Sequence, residues 1–169
     1  MKPSSIDDIK KELQQQSPKK VLELLLKLAR FKKENKELLT YLLFEAGDEA
    51  GYVESVKLEI DGLLTGIGDI PYSAAKKVLR KVPRLINKQI RYMGSKSAAV
   101  ELHLHFAQKL KQLGSPAGKA VPEKMLLQQL ARIEKHLPSL DEDLRHDYQK
   151  QLEDIHAAPP PKPSWWRSR

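Results

Sequence analysis

Apolar residues recur along this chain at helical spacing, and no run of β-branched and aromatic residues alternates as a strand would. A first helix is expected from Ser4 or Ser5 to about Gln16, with Ser5 and Asp8 spaced as in a capping box. Ser17-Pro18 reads as a cap followed by proline at the first helical position. Behind it Val21, Leu22, Leu24, Leu25, Leu26 and Leu28 fill an arc of about 200° on a wheel of 100° per residue. Between Glu34 and Ala46, the residues Leu38, Leu39, Tyr41, Leu42, Leu43 and Phe44 leave equally little polar face. Arcs that wide belong to helices touched on several sides, so these two segments are expected to form the middle of the core.

Gly47 and Asp48 break the pattern. A helix is then expected from Asp48 to Leu64 with Val53, Val56, Ile60, Leu63 and Leu64 inward, ended by Gly66, Gly68 and Pro71. Further helices are expected over Tyr72 to Met93 with Pro83 inside it, Lys96 to Leu113, Pro122 to His136, and from the Pro138–Asp141 start to about Ile155. Gly114 to Pro122 reads as a loop. The fold class is therefore all-α, with seven or eight antiparallel helices in hairpins at 17–46, 48–93 and 95–136. These form an irregular bundle or a short solenoid-like stack, and the pairs do not align as a repeat. One domain is expected over 1–156. Residues 157–169, with four prolines in the first seven, are expected to be an extended, disordered tail that carries Trp165 and Trp166. The tail tryptophans could stack on bases or dock into a partner's groove.

Charge changes the picture. The 169 residues carry 30 Lys+Arg against 22 Asp+Glu, a formal net charge of +8. Residues 70–100 hold Lys76, Lys77, Arg80, Lys81, Arg84, Lys88, Arg91 and Lys96 and no acid. Taking those eight from the 30 leaves 22, equal to the acids, so the whole net charge lies in this window. From Lys76 to Arg91 the seven cations occupy one arc of about 140°, opposite Val78, Leu79, Val82, Leu85, Ile86, Ile90 and Met93. The stripe is about 22 Å long at 1.5 Å per residue. Cations at i,i+4 repel by a few tenths of a kcal/mol per pair, and a merely solvated face usually mixes in glutamate. Three explanations stand: a polyanion such as nucleic acid, an acidic face, or a solvated face with no partner. The acidic face could lie on a partner protein. It could also come from within, from Glu45, Asp48, Glu49, Glu54 and Glu59 or from Asp141, Glu142 and Asp143. Pro83, at the border between the two faces, should kink the helix or divide it.

Leu64-Thr65-Gly66-Ile67-Gly68 followed by Ala74-Ala75 resembles the helix-hairpin-helix family of DNA-backbone binders, in which a Gly-hydrophobic-Gly turn offers amides to a phosphate. The resemblance covers about 20 residues. The family's small residue four positions after the second glycine would be Tyr72 here, and Pro71 interrupts the approach.

Other chemistry finds little support. The absence of cysteine excludes disulfides, thiol catalysis and Cys-ligated zinc. His103 and His105 point about 200° apart on a helix and share no metal, although Glu101 with His105, or Asp143 with His146, could each supply two ligands. Phosphate-loop, nucleophile-elbow and zinc-protease motifs are absent. No catalytic residue, metal or cofactor is expected. No apolar stretch has signal-peptide or membrane-spanning length, which points to the cytoplasm. The expected function is non-catalytic binding of nucleic-acid phosphates, DNA or RNA, by Lys76, Lys77, Arg80, Lys81, Arg84, Lys88 and Arg91. The alternative is a helical adaptor whose basic face meets an acidic protein.

Overall fold

The structure is a computed structural model describing residues 2–113 and 121–157, with the side chains of Val121 and Pro122 excepted. Of the loop expected over Gly114–Pro122, residues 114–120 lie outside the described residues and Val121 and Pro122 belong to a helix; of the tail expected over 157–169, Ala157 ends a helix and the rest, with Trp165 and Trp166, lies outside the described residues. Eight α-helices and no strand are found among the described residues, so the fold is all-α. The chain divides into two compact units, Met1–Glu45 and Ala46–Arg169.

The first unit holds α1 (Ile6–Gln14), α2 (Pro18–Phe31) and α3 (Lys33–Thr40), the last running into a π-helical turn over Tyr41–Glu45. Its starts are those the sequence announces. Ser5 accepts the Asp8 amide at 3.2 Å, and Ser17 accepts the Lys20 amide at 3.3 Å ahead of Pro18. The corner between α2 and α3 is Lys32 in extended geometry, and the Asn35 side chain donates to the Leu28 carbonyl at 2.8 Å across it.

The expectation that these leucine-rich segments form the middle of the core is overturned. None of α1, α2 and α3 holds a buried residue, and Tyr41 is the one buried side chain described in the unit. Leu28 is 59% exposed, Phe31 75% and Phe44 76%. The physical reason is geometric. Within the unit α2 packs chiefly against α3, and one main neighbour covers only one flank of a helix whose apolar arc spans about 200°.

The second unit is built around α6 (Lys96–Leu113), with α4 (Glu49–Leu64), α5 (Tyr72–Met93), α7 (Val121–His136) and α8 (Glu142–Ala157). α6 packs against all four of the others. Its sequence explains how. Ala98, Leu102, Phe106 and Leu110 recur every fourth residue and face one cluster, with Val53, Val56, Ile60 and Leu64 of α4 and Leu79, Val82 and Ile86 of α5. Val100, Leu104 and Ala107 project on a different side. They join a second cluster with Leu130 and Ile133 of α7, Leu137, and Tyr148 and Ile155 of α8. Leu126 of α7 touches both. α6 is thus apolar on two faces and buried, as the middle helix of five must be.

The connections are tight. Asp48 caps α4 through the Gly51 amide at 2.9 Å. Gly94 closes α5 at φ 66°, where an L-residue would be strained, and its amide returns to the Ile90 carbonyl at 2.8 Å. Ser95 then caps α6 through the Ala98 amide, and its hydroxyl also donates to Glu49 on α4 at 2.7 Å. A 3-10 turn at Leu137–Ser139 precedes α8, which begins at Glu142.

Candidate nucleic-acid interface

α5 is one helix of 22 residues, running through Pro83 without a break. The division that Pro83 could have imposed does not occur, and the cationic arc keeps its alignment. Leu79, Val82 and Ile86 are buried on one side, with Val78, Leu85, Ile90 and Met93 packed beside them. Lys77, Arg80, Lys81, Arg84 and Arg91 stand exposed on the other side, with Lys76 half-buried at its border. Lys88 is half-buried and has a partner of its own. The other six make no ion pair with a described carboxylate.

Several acids of the same unit that could have neutralised this face from within are engaged with other partners. Asp48 caps its own helix and Glu49 accepts from Ser95. Glu54 pairs with Lys57 at 2.6 Å, and Lys57 reaches Glu101 on α6 at 2.6 Å. Burial alone would lower the Lys57 pKa, but the bonds from Glu101 and Glu54 hold it above its ordinary value. Glu45, Glu59, Asp141, Glu142 and Asp143 are exposed.

Two side chains that the sequence left aside complete the surroundings of the stripe. Arg132 of α7 donates to Asn87 at 2.5 Å, and Asn87 lies inside the cationic arc, about 20° from Lys76 on the wheel. A guanidinium from another helix is thereby carried to the edge of the stripe. Gln89 lies in the apolar arc and is buried, accepting from the Tyr52 hydroxyl of α4 at 2.8 Å. That bond satisfies a polar group inside the core and ties α5 to α4. A glutamine within an apolar arc was a visible signal. Arg132 had none, because only the packing of α7 brings it near.

The Gly66-Ile67-Gly68 turn takes the form of a helix end. Gly66 is left-handed at φ 69°, Ile67 is buried, and the Asp69 amide returns to the Gly66 carbonyl at 3.0 Å. The Asp69 carboxylate lies 3.9 Å from where a Cβ on Gly66 would sit, which puts negative charge beside the turn. That charge opposes a phosphate, so this turn adds nothing to the basic face.

The histidines are used in packing. His103 is buried and its Nδ1 lies 2.8 Å from Oε1 of Gln129, whose amide nitrogen donates to the Met125 carbonyl at 3.4 Å. The glutamine orientation makes Nδ1 the protonated nitrogen of a neutral ring. Burial, with Arg132 and His136 nearby, pushes the His103 pKa down to about 4 against the pull of Gln129. His105 and Lys109 both meet Asp61 of α4, at 2.7 and 2.8 Å. Burial would raise the Asp61 pKa, but these two bonds and charges hold it below its ordinary value. An open groove of about 390 Å³ borders this cluster, lined by Asp61, Leu64, Thr65, Lys109, Gln112 and Leu113. Its two charged groups, Asp61 and Lys109, satisfy each other. No group of three or more metal-ligating side chains occurs among the described residues. No helix among them is long and apolar enough to cross a membrane.

No protein-family model, no curated protein and no solved structure matches this chain.

Proposed function

We propose that this protein is a non-catalytic binder of nucleic-acid phosphates, engaging them with the outward face of α5. The observation that carries the reading is an unbroken helix presenting Lys77, Arg80, Lys81, Arg84 and Arg91 to solvent with no carboxylate among the described residues to neutralise them. Lys76 and Lys88 flank this set, and Arg132 extends it. Each cation that meets a phosphate releases a condensed counterion, so affinity falls steeply with salt. Arg80, Arg84 and Arg91 supply planar, bidentate donors, and the lysines act as point charges. Contacts of this kind fix position on a backbone and read little sequence.

The repulsion along the stripe supports a functional reason for it. Lys77–Lys81, Arg80–Arg84 and Lys76–Arg80 each cost a few tenths of a kcal/mol in the free protein, and a bound polyanion removes that cost.

The test is fluorescence anisotropy with labelled single- and double-stranded oligonucleotides across a salt series, beside the variant Lys77→Gln/Arg80→Gln/Lys81→Gln/Arg84→Gln. The wild type is expected to bind with a steep salt dependence. The variant is expected to lose affinity and about three to four units of slope, while its thermal stability holds or rises. No binding by the wild type near physiological salt refutes the reading, and the same face then awaits an acidic protein, found by pull-down.

A further inference from the structure

The first unit presents a different problem, independent of the basic face. It holds 45 residues, close to the size of about 40 below which a free-standing domain usually needs a disulfide, a metal or a partner copy to hold together. The sequence has no cysteine, and the described residues hold no metal-ligating group of three. Its buried interior is Tyr41. What it has in excess is exposed apolar surface. Nine side chains between Leu22 and Phe44 are exposed to an extent that adds up to about five whole ones, on the order of 1,000 Å² at about 200 Å² each. A stable two-chain interface needs about 800 Å² from each partner. Apolar patches on monomers are usually about 300–600 Å².

We propose that Ile6–Glu45 is a self-association unit, in which α2 and the π-helical turn of one chain pack against the same surfaces of a second copy. The pattern on α2 fits a helix pair. Val21, Leu24, Leu28 and Phe31 follow 3-4-3 spacing, the narrow seam that two helices share, and the last three are exposed. Leu22, Leu25 and Leu26 widen that seam into the flank a four-helix arrangement of two α2–α3 hairpins would cover. The occupant is a second copy because a two-fold contact lets one surface cover itself, and the exposed area is enough to supply the roughly 800 Å² such a contact takes from each chain.

The experiment is sedimentation velocity on the full chain from about 1 to 100 µM, with Leu24→Glu/Leu28→Glu beside it. The wild type is expected at twice its 19.3 kDa mass, and the variant is expected to dissociate at least tenfold more readily with unchanged far-UV circular dichroism. Leu28→Cys and Leu58→Cys, each the lone cysteine of its chain, give a second reading with a bis-maleimide crosslinker. Leu58 is 71% exposed on α4 and lies outside the unit. Crosslinked dimer from Leu28→Cys and none from Leu58→Cys supports the proposal. A monomer at 100 µM overturns it, whether the apolar face then rests on residues 46–157 of the same chain or on anionic vesicles in a flotation arm. A dimer equally stable in the double-Glu variant also overturns it.

Discussion

Lowering the pH should destabilise this protein through His103. The ring is buried between α6 and α7, and its proton affinity is depressed to about pH 4 from an ordinary 6.5. The unfolded chain therefore binds more protons than the folded one between those values, and stability falls as pH falls through the window. From pH 7.5 to 5.0 the loss is about 2 kcal/mol, and below pH 4 it levels at about 3 kcal/mol. For a small domain with a total of about 5–15 kcal/mol this is a large fraction. The assay is urea unfolding followed by circular dichroism at the two pH values. The comparison is His103→Leu/Gln129→Leu, which removes both hydrogen-bonding partners together and so leaves no buried group unsatisfied. Other titrating groups act equally on both proteins. The wild type should lose about 2 kcal/mol more than the double variant between pH 7.5 and 5.0. Equal losses in the two refute the assignment to His103.

Core and surface should respond to truncation on very different scales. Phe106→Ala, at a fully buried site, should cost about 3–5 kcal/mol in urea unfolding, whereas Leu58→Ala, largely exposed on α4, should stay within about 0.5 kcal/mol. Two glycines of equal size should part in sign in the same assay. Gly94→Ala forces a side chain into φ 66° and should destabilise by about 1 kcal/mol. Gly62→Ala, inside α4 with nothing within 4 Å of a new Cβ, should stabilise by about 0.5–1 kcal/mol. A double-mutant cycle on Tyr52→Phe and Gln89→Leu should return a coupling of about 1 kcal/mol for the bond between α4 and α5. A coupling near zero would mean that the bond does not hold α5 to α4.

Much of the fold was legible because helix ends are local. Ser5 and Ser17 cap where the sequence places them, α4 starts at the Asp48 break, Gly66 and Gly94 end helices, and the inward residues of α4 and α5 follow from a 3.6-residue period. The cationic side of α5 was legible for the same reason, since one helix sets both its faces. Which helices are central was not. Hydrophobicity shows how much surface a helix must hide and says nothing of how many neighbours it finds. α2, the richest in leucine, packs chiefly against α3 in its unit, whereas α6, interrupted by His103, His105, Lys109 and Lys111, packs against four helices. The histidine–glutamine pair and the reach of Arg132 to Asn87 depend on the packing of α7, which no local pattern encodes.

The central place of α6 has a consequence in time. It is the third of five helices in its unit, so α4 and α5 leave the ribosome before the surface that covers them exists. From the end of α4 at Leu64 to the end of α6 at Leu113, synthesis at about 5–20 residues per second takes roughly 2–10 s. For that interval Val53, Val56, Ile60 and Leu64 face solvent or a chaperone. Completing α6 covers the first core, but it exposes Val100, Leu104 and Ala107, which wait for α7 and α8 to be made before the second core can close.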